Sequence, residues 1–87
     1  MNADSPGIDP RLREVFANAM SADVARALTP EDSNETVERW DSRSFVAIVI
    51  GVEQAFGVRF STLEALRMSS VRGIQEILRE KGIALAT

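Results

Sequence analysis

Trp40-Asp41-Ser42-Arg43 is the stretch of this chain whose residue types could do chemistry. Asp41 stands directly ahead of a long apolar run, where a carboxylate can accept from the first free amides of a helix. Ser42 is then the first helical residue, with its hydroxyl beside unpaired backbone N–H groups at the positive end of the helix dipole. Such a position suits a phosphate, free or covalent. A serine hydroxyl is a poor nucleophile without a base, and the chain has no His to supply one. A phosphate ester on Ser42, installed by an outside enzyme, fits better than self-catalysis.

The rest of the inventory points the same way. Among the 87 residues there is neither His nor Cys, which excludes a Ser–His couple, a thiolate nucleophile and a His- or thiolate-ligated zinc. A metal would depend on carboxylates and carbonyls, and their spacing suggests no such loop. No catalytic residue and no metal site are therefore assigned. A domain of this size buries only ~60–65% of its unfolded surface and has little wall for a deep pocket. An autonomous enzyme is not expected; a module on which something else acts is.

Charge and hydropathy narrow the partners. The net charge is −3, with nine acids and four bases in residues 1–41 against four acids and six bases in 42–87. The later bases are scattered, and Phe16, Phe45 and Phe56 fall on apolar stripes, so no nucleic acid partner is expected. No apolar run approaches the ~20 residues needed to cross a bilayer. The first residues lack the basic start and apolar run of a secretory signal. The expectation is a monomer in the cytoplasm with no membrane association.

The elements that must position Ser42 follow from periodicity and caps. Residues 1–8 are polar and punctuated by Pro6 and Gly7, and are assigned to a flexible tail. Asp9-Pro10 gives a cap followed by proline at the first helical position. Leu12, Val15, Phe16, Ala19 and Met20 then keep a helical period, which predicts a helix over about 10–21. A long connection, about 22–40, carries at most a short turn at Thr29-Pro30-Glu31-Asp32, with Val24, Leu28, Val37 and Trp40 as anchors. Glu31, Asp32, Glu35 and Glu38 are expected to form a solvated surface of it.

The run from Phe45 to Val52 is β-branched and short enough for a buried strand. Phe45, Ile48, Val49, Val52 and Phe56 nevertheless keep the helical period beyond it, Asp41 caps its start and Gly57 its end. A helix over about 42–56 is predicted. Ser61-Thr62-Leu63-Glu64 is a capping box opening a short helix, about 61–67. Ser69 or Ser70 caps the last helix, about 70–81, with Val71, Ile74, Ile77 and Leu78 inward and Gly82 at its end. Residues 83–87 form a C-terminal tail that packs in part. The fold class is all-α: three main helices and one short helix, with a long loop between the first and second.

Taken together, these motifs resemble the acyl and peptidyl carrier proteins. That family attaches its cofactor at an Asp-Ser pair opening its second helix, many members carry a Trp just before it, and the helix commonly ends in Glu-x-x-Phe-Gly. Here Asp41-Ser42 follows Trp40, and Glu53-Gln54-Ala55-Phe56-Gly57-Val58 places Phe56 fourteen residues after Ser42. The likeness covers about residues 9–82, the expected carrier domain.

The resemblance implies that a phosphopantetheinyl transferase, using coenzyme A, places 4'-phosphopantetheine on Ser42. An acyl- or aminoacyl-loading enzyme would then charge the arm as a thioester, and a downstream synthase or transferase would use it. The implied setting is fatty acid, polyketide or nonribosomal peptide biosynthesis. Two departures bear on partners. Arg43 stands where the family usually has Leu, and Glu53 is the only acid in residues 42–57. So few acids favour a specialised pathway over bulk fatty acid synthesis. Asp41, Arg43, Val46 and Ile50 are the candidate partner-binding residues. Val46 and Ile50 lie four apart on one face, either partly buried under the long loop or forming an apolar contact patch. The alternative function is an unmodified carrier-like adaptor that binds a partner through helix 42–56.

Overall fold

Five helices, α1 (Pro10–Ala19), α2 (Ala22–Ala27), α3 (Ser42–Phe56), α4 (Thr62–Ala65) and α5 (Val71–Glu80), make up the computed structural model, which describes residues 7–86. The all-α class is as expected from the sequence, and the run at 45–52 is helical. The described residues form no strand; one isolated bridge links Ser33 to Ser70. None of their helices is long and apolar enough to cross a membrane.

The helix ends are set by the capping groups read from the sequence. Asp9, Asp41, Ser61 and Ser70 each accept from a backbone N–H of their helix, and Ser61 with Glu64 completes the capping box. Gly57 closes α3 with φ 67°, a left-handed conformation that glycine adopts without a Cβ penalty.

One element departs from expectation. The connection assigned to 22–40 contains α2, because Ser21 caps it through the Val24 amide and Asp23 and Arg26 sit at its favourable ends. Arg13 of α1 donates to the Ala25 carbonyl at its C-terminus. Only Ala25 of its six residues is buried, so no apolar stripe announces it. The α1 helix accordingly stops at Ala19, before the predicted end, to leave room for the turn at Met20 and Ser21.

The core is built from the predicted stripes. Leu12, Phe16, Ile48, Val52, Val71, Ile74 and Leu78 have no exposed surface, and Met20 and Met68 fill in around them. Burying each large aliphatic side chain contributes about 1.5–3 kcal/mol. Leu28 and Trp40 anchor the long connection as expected, while Val24 and Val37 pack at its edge. The connection is tied down further by Asn34 N–H to the Ser69 carbonyl and Val71 N–H to the Asp32 carbonyl. Its acids form the expected solvated surface at Glu31, Glu35 and Glu38, with Glu31 paired to Arg72 of α5 across that surface. The half-buried Asp32 accepts from the Thr29 amide and the Thr36 hydroxyl.

Both ends of the fold meet at Asp9, whose side chain is fully buried. Its carboxylate accepts from the Arg11 amide and guanidinium and, at 2.8 Å, from the Ala86 amide. Ile8, assigned to the tail by composition, is buried beside it; the rest of that tail, residues 1–6, and Thr87 lie outside the described residues. The Arg11 hydrogen bonds lead in lowering the Asp9 pKa from 3.8 to about 2. A carboxylate depressed in the fold stabilises it above pH 4 and loses that contribution as pH falls through the folded value. Urea titrations should therefore show about 2 kcal/mol lost between pH 4 and pH 2. Asp9→Asn, already weakened at pH 7, should lose less across the same interval.

Candidate functional site

The Ser42 site begins with the N-terminus of α3. Asp41 takes an extended backbone and its carboxylate accepts the Ser44 N–H at 2.9 Å. That bond holds the Asp41 pKa below the ordinary carboxylate value. Ser42 follows as the first helical residue and is exposed. Ser44, two residues on, is buried, and its hydroxyl donates to the Arg39 carbonyl at 2.6 Å. Arg39 in turn donates to the Met20 carbonyl at 2.8 Å. The loop-to-helix junction is thus fixed from beneath by Asp41, Ser44 and Arg39, and Ser42 alone of its two serines faces outward.

Trp40 supports the junction from the core side. It is buried, with its ring centroid 5.4 Å from that of Phe16 at 51°, a tilted aromatic contact. Among the buried polar side-chain atoms of the described residues, its Nε1 stands out as having no acceptor in the protein. A cavity of about 310 Å³ opens beside Ser42 between α3 and the α4–α5 junction, lined by Trp40, Asp41, Phe45, Leu66, Ser69 and Asn34. Its walls are largely apolar apart from the rim.

The structure places the candidate partner-binding residues of α3 together. Arg43, Val46 and Ile50 are all exposed and share one face, at positions i, i+3 and i+7. Val46 keeps 55% and Ile50 48% of its surface open, which decides between the two readings: neither is covered by the long connection. Ile50 also borders a larger groove of about 750 Å³ between α1 and α3, remote from Ser42 along the helix.

Two residues were missed. Leu63 and Leu66, on and just after α4, are 76% and 65% exposed. The available signal was their spacing of three on a helix too short to bury both.

Glu53 does not add an acid to the exposed face, since its carboxylate accepts the Phe60 N–H at 2.9 Å. It thereby fixes the extended link from α3 to α4. This gives a local reason for an acid three residues before Phe56-Gly57.

No protein-family model matches the chain. Over 71 residues it is 31% identical to polyketide-8 synthase acyl carrier protein 2 of Streptomyces avermitilis, spanning 82% of this chain and 80% of that protein. A helical domain of this order, presenting one serine at the start of its longest helix, is a carrier-type module. The chain belongs to the acyl carrier protein family.

Proposed function

We propose that this chain is a discrete acyl carrier protein bearing 4'-phosphopantetheine on Ser42 and serving a specialised pathway such as polyketide biosynthesis. The observation that carries the reading is an exposed Ser42 at the first position of α3, beside a cavity with mostly apolar walls. The arm would supply a terminal thiol that holds acyl groups as activated thioesters, which a chain without cysteine cannot do itself.

The residues present fit that group. Ser42 offers the ester oxygen and faces solvent, so a long substituent meets no steric bar. The phosphate would sit at the N-terminus of α3, where the helix dipole favours negative charge. Phe45 and Leu66 give the arm an apolar wall on one side. The carboxylate beside Ser42, Asp41, serves as the cap of the Ser44 amide, so the base that takes the Ser42 proton would belong to the transferase. The relative, a polyketide synthase acyl carrier protein, favours polyketide synthesis among the pathways open to the family. The chain's own contribution is presentation and not catalysis.

Incubation of the full chain with coenzyme A and phosphopantetheinyl transferases tests this directly. Intact-mass spectrometry should show addition of one arm, localised by fragmentation to the peptide that contains Ser42. An unchanged mass with every transferase tried would overturn the reading. The exposure of Val46 and Ile50 favours one alternative, an adaptor that binds a partner through α3 and is never modified. Protein isolated from its native host would then contain no arm-bearing species.

A further inference from the structure

The groove of about 750 Å³ between α1 and α3 has no part in the site at Ser42. On its floor Gly51 of α3 meets Val15 of α1 so closely that an ideal Cβ would stand 2.8 Å from the Val15 Cγ1. Arg11 lies 4.6 Å over the Phe56 ring, so the two helices run antiparallel. Ala19 and Ala47 therefore line the end nearer Ser42, and Arg11 and Ala55 the other. Alanine on both walls keeps the trough open.

The floor is apolar, but the rim carries two exposed carboxamides, Asn18 and Gln54. Neither has a hydrogen-bond partner among the described residues. A saturated chain laid in the groove would face them with hydrocarbon, whereas keto or hydroxyl oxygens would pair with them. Glu14, on the same rim, has no ion-pair partner among the described residues and would repel a free carboxylate. The Arg11 charge, by contrast, is already met by Asp9.

The groove lies within reach of an arm on Ser42. At about 100° per residue, Phe45 stands on one flank of Ser42 and Arg43 on the other. Arg43, Ala47, Ile50 and Gln54 follow at i, i+4, i+7 and i+11 along that second flank. The near end, at Ala47, is about 7.5 Å along the axis from Ser42, and Ala55 about 12 Å further. Arg43 is exposed and without an ion-pair partner among the described residues, near the positive end of α3 where a cation is disfavoured. A phosphodiester on Ser42 would supply its counter-charge and turn the arm to this flank. The cavity on the Phe45 flank, about 310 Å³, is less than half as large.

From this we infer that the α1–α3 groove holds the cargo of the arm, an uncharged acyl chain of medium length that carries keto or hydroxyl oxygens. Asn18 and Gln54 pair with those oxygens, and Arg43 with the phosphodiester. The inference rests on the proposed function and adds the chemical class of the cargo and its seat.

Nuclear magnetic resonance on the full chain tests it, with arms transferred from coenzyme A analogues bearing an amide-linked 3-oxo-octanoyl or octanoyl chain. Chain methylenes should show Overhauser contacts to the Ala47 and Ala55 methyl groups. The 3-oxo chain should dock about fivefold more strongly than the plain one, the worth of one neutral hydrogen bond. Replacing both Asn18 and Gln54 by Leu should bring that ratio near one. Ala47→Trp, at an exposed helical position, should remove the contacts, and Arg43→Leu should weaken docking of both chains alike. Circular dichroism checks that the variants fold. Contacts confined to Phe45 and Leu66, or none at all, overturn the seat while the modification of Ser42 stands. Equal docking of the two chains in the parent overturns the cargo class. An arm that cannot be attached at all overturns the functional reading and this inference with it.

Discussion

Ser42→Ala should abolish arm attachment completely while leaving the domain as stable as before. Of the two hydroxyls in the first turn of α3, that of Ser42 is exposed and holds no structural bond, whereas that of Ser44 is buried on the Arg39 carbonyl. Exposed substitutions away from special features change stability by no more than about 0.5 kcal/mol, and alanine is the better helix former. Intact mass after incubation with coenzyme A and transferase should show no gain, with an unchanged urea midpoint. Residual attachment in this variant would place the ester elsewhere.

The neighbouring serine supplies the control. Ser44→Ala should still accept the arm, because Ser44 points inward and its hydroxyl serves the Arg39 carbonyl. Removing it leaves that carbonyl without its donor and should cost about 1 kcal/mol. Asp41→Ala should cost a similar amount, about 1 kcal/mol for a lost cap. Two serines separated by one arginine thus divide into an exposed residue, the proposed attachment point, and a structural one. Helix geometry makes the division: with ~100° per residue, positions two apart lie on nearly opposite sides.

That division explains how much of the site was legible before any coordinates. Residue types and caps located Ser42, because Asp41 and Gly57 bracket an apolar stripe long enough to outlast any strand. The same period put Phe45, Ile48, Val52 and Phe56 inward and so left Val46 and Ile50 outward. Short elements were harder. Six-residue α2 buries only Ala25, and an alanine makes no visible stripe among other alanines. Leu63 and Leu66 sit at a helix of four residues, too brief for periodicity to say which side faces the core.

Contacts distant in sequence were beyond reach altogether. Asp9 was readable as a cap, yet nothing local reveals that it also receives the amide of Ala86. The buried Gln75 likewise spans from α5 to the Gly7 carbonyl at 2.7 Å. Both tie the outermost described residues, Gly7 and Ala86, to the bundle. Rigidity there and accessibility at Ser42 are compatible because the site needs only the Asp41–Ser44–Arg39 junction held still. A carrier must survive handling by successive enzymes, so a tightly tied bundle under an open serine is a sound physical arrangement for the proposed role.

Gly73→Ala should be the most damaging of the glycine-to-alanine changes in the helices. An ideal Cβ at this position would lie 2.3 Å from the Arg67 carbonyl oxygen and 3.0 Å from the Ser70 hydroxyl oxygen. The first neighbour is backbone, held between α4 and α5, and cannot turn aside as a side chain would. Relief requires α5 to move, which disturbs the Ser70 cap on the Gly73 amide and the packing of Val71 and Ile74, both without exposed surface. Better helix propensity returns only about 1 kcal/mol, whereas forced overpacking costs about 1–3 kcal/mol and more where backbone must shift. A net loss of about 2–3 kcal/mol is expected, and a domain this small has only about 5 kcal/mol or so to lose. Thermal unfolding should fall by about 8–20 °C. Gly57→Ala meets no atom within 4 Å and bears only the strain of φ 67°, so its loss should be about 1 kcal/mol. If the two variants melt alike, the close passage of α5 over the Arg67 carbonyl is wrong, and with it the placement of the wall that Leu66 and Ser69 give to the Ser42 cavity.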